Sequence, residues 1–306
     1  MNNNGTHRAI TGSIVALVTP FTQEGKLDEA ALRRLVNFQI EGGTDIIIPC
    51  GTTGESPSLE ADEQRRVIEV VVNEAKGRVR VMAGAGSNST HHAVALSKAA
   101  EKAGAQGILS VGPYYNKPTA AGYIKHFSEV AAAVSLPIIV YNVPGRTGGN
   151  IAVDTLLKLA NEVPNIVSVK EASANMNQIM ELLRSRPAHL SVLSGDDPLT
   201  LAMMALGADG VISVAANEIP AVVKSLVTAM HQGKLDEARA IHNKYYGLFT
   251  MNFLESNPIP VKYILSRMGL CEATYRAPIV PGEPATLQKL DAEIEKLGLL
   301  KQFAAV

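Results

Sequence analysis

A lysine closes one of the most apolar segments of the sequence, and this placement suggests covalent chemistry. Residues 166–172 are Ile-Val-Ser-Val-Lys-Glu-Ala, a β-branched run typical of a strand buried in a parallel sheet. An ammonium group leaves water only at a large cost unless it is paired or neutralised. Lys170 could simply reach solvent at the strand end. Alternatively, desolvation could leave it as a neutral amine that attacks a carbonyl and forms a Schiff base.

Other polar side chains also follow apolar segments, at the points where predicted strands end. Taken singly, each has an ordinary explanation: the Gly-Thr-Thr-Gly turn at 51–54 could only cap a helix, the paired tyrosines could pack, and the arginine could join a surface ion pair. Taken together, they would place a lysine, phenols, hydroxyls and one arginine on a single face. The residues concerned are Thr52, Thr53, Tyr114, Tyr115, Tyr141, Arg146 and Lys170.

This set of side chains suits condensation of a lysine with a keto acid. An arginine fork and the N–H groups of a turn bind carboxylates, a tyrosine moves protons while an imine forms, and hydroxyl groups can relay those protons. We find no His-Glu-x-x-His motif or other metal-ligand spacing, and no Gly-x-Ser-x-Gly elbow. The sequence therefore argues against a metal-dependent aldolase and a serine hydrolase, and predicts no metal cofactor.

The elements that must position these residues alternate regularly between strand and helix. Eight βα units of about 25 to 30 residues, with apolar strands of the parallel type, predict a closed (β/α)8 TIM barrel, in which catalytic groups lie in the loops after the strands. A doubly wound sheet is the alternative, but no phosphate-binding fingerprint opens the first helix. The predicted strands cover 14–18, 45–50, 79–84, 107–111, 137–141, 166–172, 190–193 and 209–214.

After about residue 217 the strands stop and only helical patterns remain. We expect a catalytic barrel over residues 1–232 and an appended C-terminal helical segment over 233–306, which would cover the barrel or support assembly. Asp28 is the expected N-cap of the first helix, from Glu29 to Glu41.

Composition narrows the class of protein. The 306 residues are 46% apolar and 19% charged, with a net charge of −1, which favours a large core and argues against a nucleic-acid surface. The two cysteines form no spaced pattern, so a reduced, cytoplasmic setting is expected. The first residues show no signal peptide, and no apolar run approaches the roughly 20 residues of a membrane span.

Seven motifs, in order along almost the whole chain from about residue 12 to 300, resemble the dihydrodipicolinate synthase family of pyruvate-dependent, Schiff-base-forming lyases. Each motif alone is weak, whereas the ordered set is specific to that superfamily. The motifs are Gly-Thr-Thr-Gly-Glu-Ser at 51–56, Pro-Tyr-Tyr-Asn-Lys-Pro at 113–118, Tyr-Asn-Val-Pro-Gly-Arg-Thr-Gly at 141–148, Val-Lys-Glu-Ala at 169–172, Ser-Gly-Asp-Asp at 194–197, Gly-Val-Ile-Ser-Val at 210–214 and Asn-Pro-Ile-Pro-Val-Lys at 257–262.

The resemblance implies a role for each of eight residues. Lys170 would form the imine with pyruvate, and Tyr141 would donate and accept protons beside it. Thr52 would link Tyr141 to Tyr115 in a proton relay. The substrate-binding residues would be Thr53 on the pyruvate carboxylate, with backbone near Gly195 and Ile212, and Arg146 on the carboxylate of L-aspartate 4-semialdehyde at the entrance.

The resemblance also implies the reaction's setting. The enamine of bound pyruvate would attack the aldehyde, with no cofactor beyond the lysine–pyruvate imine, in diaminopimelate and lysine biosynthesis in the cytoplasm. The expected assembly is a homotetramer, a dimer of tight dimers in which Tyr115 serves the site of the neighbouring subunit. No nucleic acid or membrane partner is expected.

Two alternatives stay open at this point. Sister enzymes of the N-acetylneuraminate lyase and 2-keto-3-deoxy-sugar-acid aldolase types share the lysine and tyrosine, but Arg146 and the tyrosine pair favour a charged aldehyde over a polyhydroxylated one. A non-catalytic keto-acid sensor would need neither a nucleophile nor a relay.

The chain departs from the family pattern at the site where lysine binds as a feedback inhibitor. Lysine-sensitive members carry histidines where this sequence has Ala61 and Gln64, and a glutamate where it has His92; Asn88 and Tyr114 are kept. We therefore expect weak or absent feedback by lysine.

Overall fold

The computed structural model describes residues 10–302, and its centre is a parallel sheet. The N-terminal residues over which the sequence predicts no signal peptide lie outside that range. Within it, nine strand segments pair in parallel. They are β1 (Gly12–Ala16), β2 (Ile46–Ile48), β3 (Arg80–Val81), β4 (Ala83–Gly84), β5 (Ile108–Val111), β6 (Ile138–Asn142), β7 (Ile166–Glu171), β8 (Ser191–Ser194) and β9 (Gly210–Ser213).

The sheet closes on itself through its third strand. The strand order runs β3-β2-β1-β9-β8-β7-β6-β5-β4, so β3 and β4 form its two ends. These are two parts of one predicted strand, interrupted at Met82. The Met82 N–H donates to the Ile47 carbonyl on one side, and the Ala83 N–H donates to the Gly107 carbonyl on the other. The predicted (β/α)8 barrel is confirmed, although its third strand is broken where the sequence predicts a continuous one.

Helices connect the strands and surround the barrel. Asp28 caps α1, as predicted, by accepting a hydrogen bond from the Ala31 N–H, which satisfies one of the free N–H groups of the first turn. The helices are α1 (Glu29–Glu41), α2 (Ala61–Ala75), α3 (Thr90–Lys102), α4 (Ala120–Ala132), α5 (Pro144–Thr147), α6 (Val153–Glu162), α7 (Met176–Ser185), α8 (Thr200–Ala205), α9 (Pro220–His231), α10 (Leu235–Met251), α11 (Ile259–Arg267) and α12 (Pro284–Lys296). None of the helices within 10–302 combines the length and apolar character that crossing a bilayer requires.

Alternate residues of each strand pack inside and outside the barrel. In β1, Ile14 and Ala16 belong to the cluster that fills the interior, whereas Val15 packs with the surrounding helices. Because side chains of a strand alternate between its two faces, a barrel buried on both sides needs apolar residues at nearly every position. This explains why the strand segments are continuous apolar runs rather than alternating ones.

A bulge in β7 determines which of its residues face the interior. Ile138 pairs with Ile166, but the next residue, Ile139, pairs with Ser168, so Val167 is an extra residue. A bulge of this kind re-aims the side chains that follow it. After the bulge the two strands pair in the new register, in which Tyr141 lies opposite Lys170.

Candidate active site

Six of the eight predicted site residues line one cavity at the carboxyl ends of the strands. The cavity has a volume of about 120 Å³, and it lies in the region where barrels of this type carry their catalytic groups. The six are Thr52, Thr53, Tyr141, Arg146, Lys170 and Gly195; the other lining residues are Val143, Ala172, Asp196, Val214, Phe253 and Asn257.

Lys170 lies beside the ring of Tyr141. Its side chain is buried, with 5% of the residue exposed, and Nζ lies 4.2 Å from the centroid of the Tyr141 ring. Lys170 is not the last residue of its strand, since β7 continues to Glu171. The face of an aromatic ring attracts a cation. The Tyr141 ring can therefore stabilise either a Lys170 ammonium or a positively charged iminium formed from it.

Gly195 leaves the space that the Lys170 side chain needs. A Cβ atom at Gly195 would lie 2.6 Å from the Cβ of Ala172 and 3.0 Å from the Cε of Lys170. Any larger residue at position 195 would therefore push against the carbons that carry the amine. The absence of a side chain at Gly195 keeps the approach to Nζ open.

The threonine turn follows β2 and is joined to the C-terminal segment. Thr53 is buried, and its Oγ1 accepts a hydrogen bond from Nδ2 of Asn257 at 2.9 Å. Thr52 is partly buried and lines both the main cavity and a smaller one that Tyr141 also lines. The turn thus presents two hydroxyl groups to the space around Lys170.

Glu55 ends this turn in a buried ion pair. Its backbone is left-handed, with φ 53°, and its Oε1 accepts from Nζ of Lys262 at 2.7 Å. Lys262 is fully buried and its Nζ lies 4.4 Å from the centroid of the Phe21 ring. Burial lowers the pKa of Lys262 against the opposing effect of Glu55. Glu55 therefore holds the turn to α11 and does not itself line the cavity around Lys170.

Arg146 is carried by α5, the short helix that begins at Pro144. Proline suits the first helical position because its missing N–H has no partner there. Arg146 is exposed at the edge of the cavity, and its Nη2 donates to the Asn257 carbonyl at 3.4 Å. The guanidinium is thus free enough to meet a carboxylate entering from solvent.

Two predicted residues do not line the cavity of this chain. Tyr115 is 88% exposed, with a positive φ of 73°, and its N–H donates to the Thr147 carbonyl. Ile212 is buried in the barrel interior, while Val214, two residues later, lines the cavity. The structure therefore brings together all of the predicted groups except these two.

Two aspartates follow β8, of which Asp196 lines the cavity. Its buried Oδ1 has no hydrogen-bond partner among the described residues, and burial, helped by the charge of Asp197, raises its pKa. Asp197 accepts from the N–H groups of Val214 and Ala215 at 2.9 and 3.0 Å, and burial raises its pKa as well. Asp197 thus fixes the end of β9 against the end of β8.

Sequence reasoning assigned no role to Asn257, Asp196 or Phe253, although all three line the cavity. The signal for Asn257 and Asp196 was present, because both belong to motifs that carry the family resemblance. Their partners are distant in sequence, so the motifs could indicate importance without indicating contacts.

A second cavity of about 280 Å³ adjoins the first and is lined by Ser56, Gln64 and Tyr114 among others. Gln64 is buried, and its Nε2 donates to the Gly84 carbonyl at 2.9 Å. Within residues 10–302 we find no cluster of three or more His, Cys, Asp or Glu side chains able to hold a metal ion.

Comparison with known proteins gives consistent matches. A sequence model of the dihydrodipicolinate synthetase family matches residues 9–297. The 4-hydroxy-tetrahydrodipicolinate synthase of Chloroherpeton thalassium is 61% identical over 297 residues, covering 97% of this chain and 98% of that protein. The crystal structure of dihydrodipicolinate synthase from Aquifex aeolicus has a TM-score of 0.93 at 49% identity, covering 95% and 99% of the two chains. The chloride-inhibited dihydrodipicolinate synthase from Acinetobacter baumannii, complexed with pyruvate, has a TM-score of 0.93 at 41% identity, covering 95% and 100%.

Proposed function

The chain belongs to the dihydrodipicolinate synthetase family, and we propose that it carries out the 4-hydroxy-tetrahydrodipicolinate synthase reaction, the condensation of pyruvate with L-aspartate 4-semialdehyde. The observation that carries this proposal is the buried Lys170 amine beside the Tyr141 ring, in a cavity that also presents Thr53 and Arg146. One nucleophile and two separate groups for carboxylates match one keto acid and one charged aldehyde.

The first step joins pyruvate to Lys170. The neutral amine attacks the keto carbon, and loss of water leaves an iminium whose positive charge faces the Tyr141 ring. In our proposal Tyr141 shuttles protons to and from the departing oxygen, while Thr53, with backbone near Gly195 and Ile212, holds the pyruvate carboxylate.

The second step forms the carbon–carbon bond. Loss of a proton from the pyruvate methyl group gives an enamine, which attacks the aldehyde carbon. Arg146 holds the carboxylate of the semialdehyde at the entrance, as its exposed position at the cavity edge allows. The semialdehyde amine then closes the ring on the iminium carbon and releases Lys170. The imine supplies the electron sink, so no metal or other cofactor takes part in this proposal.

In our proposal the proton relay depends on the assembly, because one of its residues comes from a second subunit. Thr52 links Tyr141 to a second phenol, which we assign to Tyr115 of a neighbouring subunit, because Tyr115 is exposed and outside the cavity of its own chain. We therefore propose a homotetramer built from two dimers. We further propose a cytoplasmic role in diaminopimelate and lysine biosynthesis, without a nucleic acid or membrane partner.

We propose the same division of the chain as the sequence predicts, with a barrel over residues 1–232 and a helical segment over 233–306. The segment's role is larger than covering the barrel, since it contributes Phe253 and Asn257 to the cavity.

The test is mass spectrometry after borohydride reduction in the presence of pyruvate, followed by competition between aldehydes. A pyruvyl adduct on Lys170 with preference for the semialdehyde supports the proposal. A preference for N-acetylmannosamine or glyceraldehyde would move the chain to a sister aldolase. Failure to form any adduct would contradict the Schiff-base mechanism, and binding without turnover would indicate a sensor.

A further inference from the structure

We propose that Asn257 is a positioning residue that fixes the Thr53 hydroxyl as a hydrogen-bond donor to the substrate carboxylate. The inference rests on the proposed function, in which Thr53 holds the carboxylate of pyruvate. The Thr53 hydroxyl can either donate or accept a hydrogen bond, and in this inference Asn257 makes it donate to the substrate.

The contact between Asn257 and Thr53 has a defined direction. Nδ2 of Asn257 lies 2.9 Å from Oγ1 of Thr53 and donates to it. An amide nitrogen donates but does not accept, whereas a hydroxyl has one proton and two lone pairs. The Thr53 proton therefore cannot point at Asn257. Among residues 10–302 the Thr53 hydroxyl donates to no protein acceptor, which leaves its proton for a ligand in the cavity.

Both residues of the pair are buried. Thr53 is 2% exposed and Asn257 5% exposed, and both line the cavity around Lys170. A buried polar group without a partner is costly, yet Oδ1 of Asn257 has no partner in the described part of the chain. The hydrogen bond from Nδ2 to Thr53 thus determines the orientation of the Asn257 amide, although this orientation leaves Oδ1 without a partner among the described residues.

A buried ion pair close to Asn257 holds this residue in place. Asn257 precedes α11, whose Lys262 forms the buried ion pair with Glu55. Glu55 lies two residues after Thr53, and Lys262 lies five residues after Asn257. The threonine turn and the start of α11 are therefore joined by two contacts, the hydrogen bond from Asn257 to Thr53 and the ion pair of Lys262 with Glu55. The ion pair fixes the distance between the Asn257 amide and the Thr53 hydroxyl.

The side chain and backbone of Asn257 serve different substrates in this scheme. The side chain acts on Thr53, whereas the carbonyl accepts from Nη2 of Arg146 at 3.4 Å. Substitution of the side chain leaves the carbonyl in place. Asn257→Ala should therefore weaken pyruvate binding and leave semialdehyde binding unaffected, which a general disturbance of the site would not do.

The experiment compares Michaelis constants for both substrates in Asn257→Ala, Thr53→Val and the double variant. A hydrogen bond to a charged group is worth about tenfold or more in binding, so we expect about that rise in the KM for pyruvate in each single variant. We expect no further rise in the double variant, since Asn257 acts through the hydroxyl that Thr53→Val removes. Asn257→Asp should be worse than Asn257→Ala, because a carboxylate only accepts and would turn the Thr53 proton toward itself.

Asn252→Ala is the matched control. Asn252 is a buried asparagine of the same segment, but it donates to Glu218 and does not line the cavity. Its loss should lower stability without changing the KM for pyruvate. If Asn257→Ala does not fold, Asn257→Leu, which removes the donor at similar volume, and Thr53→Val provide the same comparison.

The outcomes separate this inference from the proposed function. Wild-type enzyme trapped on Lys170 by pyruvate and borohydride, together with non-additive effects at 53 and 257, supports the inference. Wild-type trapping with an unchanged pyruvate KM in folded Asn257→Ala, or with additive effects, overturns the inference alone. An absence of trapping in the wild type would overturn both.

Discussion

Tyr141 and Lys170 are paired residues of two neighbouring parallel strands, with Nζ of the lysine 4.2 Å from the centre of the tyrosine ring. The ring can stabilise the cationic imine, while the hydroxyl can move protons. These two contributions are separable, because phenylalanine keeps the first and loses the second.

Tyr141→Phe should therefore still form the pyruvate adduct at equilibrium, although more slowly, and lose most of its turnover. Removing a positioned acid–base group lowers the rate by about 10² to 10⁴-fold. Steady-state kcat and borohydride trapping at saturating pyruvate measure the two effects. Tyr123→Phe is the control, since Tyr123 is buried outside the cavity and its hydroxyl has no partner among the described residues. A Tyr141→Phe enzyme with wild-type kcat would exclude the proton role.

Exchange of subunits tests whether Tyr115 serves a neighbouring site. Tyr115→Phe and Lys170→Ala should each be impaired alone, the first by at least about tenfold if the phenol moves protons. A mixed assembly contains sites with Lys170 from one chain and Tyr115 from the other, so mixing the two variants should restore part of the activity. Activity of the mixture over time is the measurement. If mixing restores nothing while subunits demonstrably exchange, Tyr115 does not act in trans.

Lys262→Met should destabilise the protein strongly, because it leaves Glu55 as an unpaired buried carboxylate. Breaking such a pair costs about 3–5 kcal/mol, and the double variant Lys262→Met with Glu55→Gln should recover part of that loss. Chemical denaturation gives the free energies of unfolding. The matched control is Lys158→Met, whose exposed lysine pairs with the exposed Glu162 at 3.9 Å and should cost about 1 kcal/mol or less. Equal effects of the two substitutions would contradict the assignment.

Glu218→Gln should change how stability depends on pH. Burial raises the pKa of Glu218 well above its ordinary value of 4.5, with a smaller contribution from Asp197. The folded chain therefore holds a proton that the unfolded chain has lost, so the contribution of Glu218 to stability is complete below pH 4.5 and is lost as the pH rises through the raised value. Glutamine can still accept from Asn252 and carries no charge.

The Glu218→Gln variant should accordingly be more stable than the wild type near neutral pH, and the difference should shrink in acid. Thermal unfolding across a pH series measures it. Glu295→Gln, at an exposed position of α12, should follow the wild-type profile. A constant difference at all pH values would mean that Glu218 does not titrate in this way.

Lysine should inhibit this enzyme weakly or not at all. The side chain of Gln64 is committed to the Gly84 carbonyl, and Ala61 and His92 replace groups that sensitive relatives use. Initial rates over a lysine series, with a sensitive relative assayed in parallel, provide the test. Saturable inhibition at low lysine concentration would refute the expectation.

The sequence was most informative about elements whose pattern is local. Two features were predictable: the helix from Glu29 to Glu41 with its Asp28 cap, and the eight alternations of strand and helix. Helical spacing, caps and apolar runs depend on residues that are neighbours in the sequence. The roles of the eight site residues remain proposals, although six of them meet around one cavity.

The features that sequence reasoning missed depend on partners distant in the chain. The bulge at Val167 exists only relative to β6, and the break at Met82 is defined by hydrogen bonds to Ile47 on one side and Gly107 on the other. The contact between Asn257 and Thr53 spans 204 positions. No periodicity of a single segment encodes such pairings.

The two contacts between the threonine turn and α11 also constrain recombination between relatives. A chimera that exchanged only the part of the chain after residue 232 would combine the Thr53 and Glu55 of one parent with the Asn257 and Lys262 of another. All four residues belong to motifs that mark the family, so such a chimera would keep both contacts only where each parent carries its own pair.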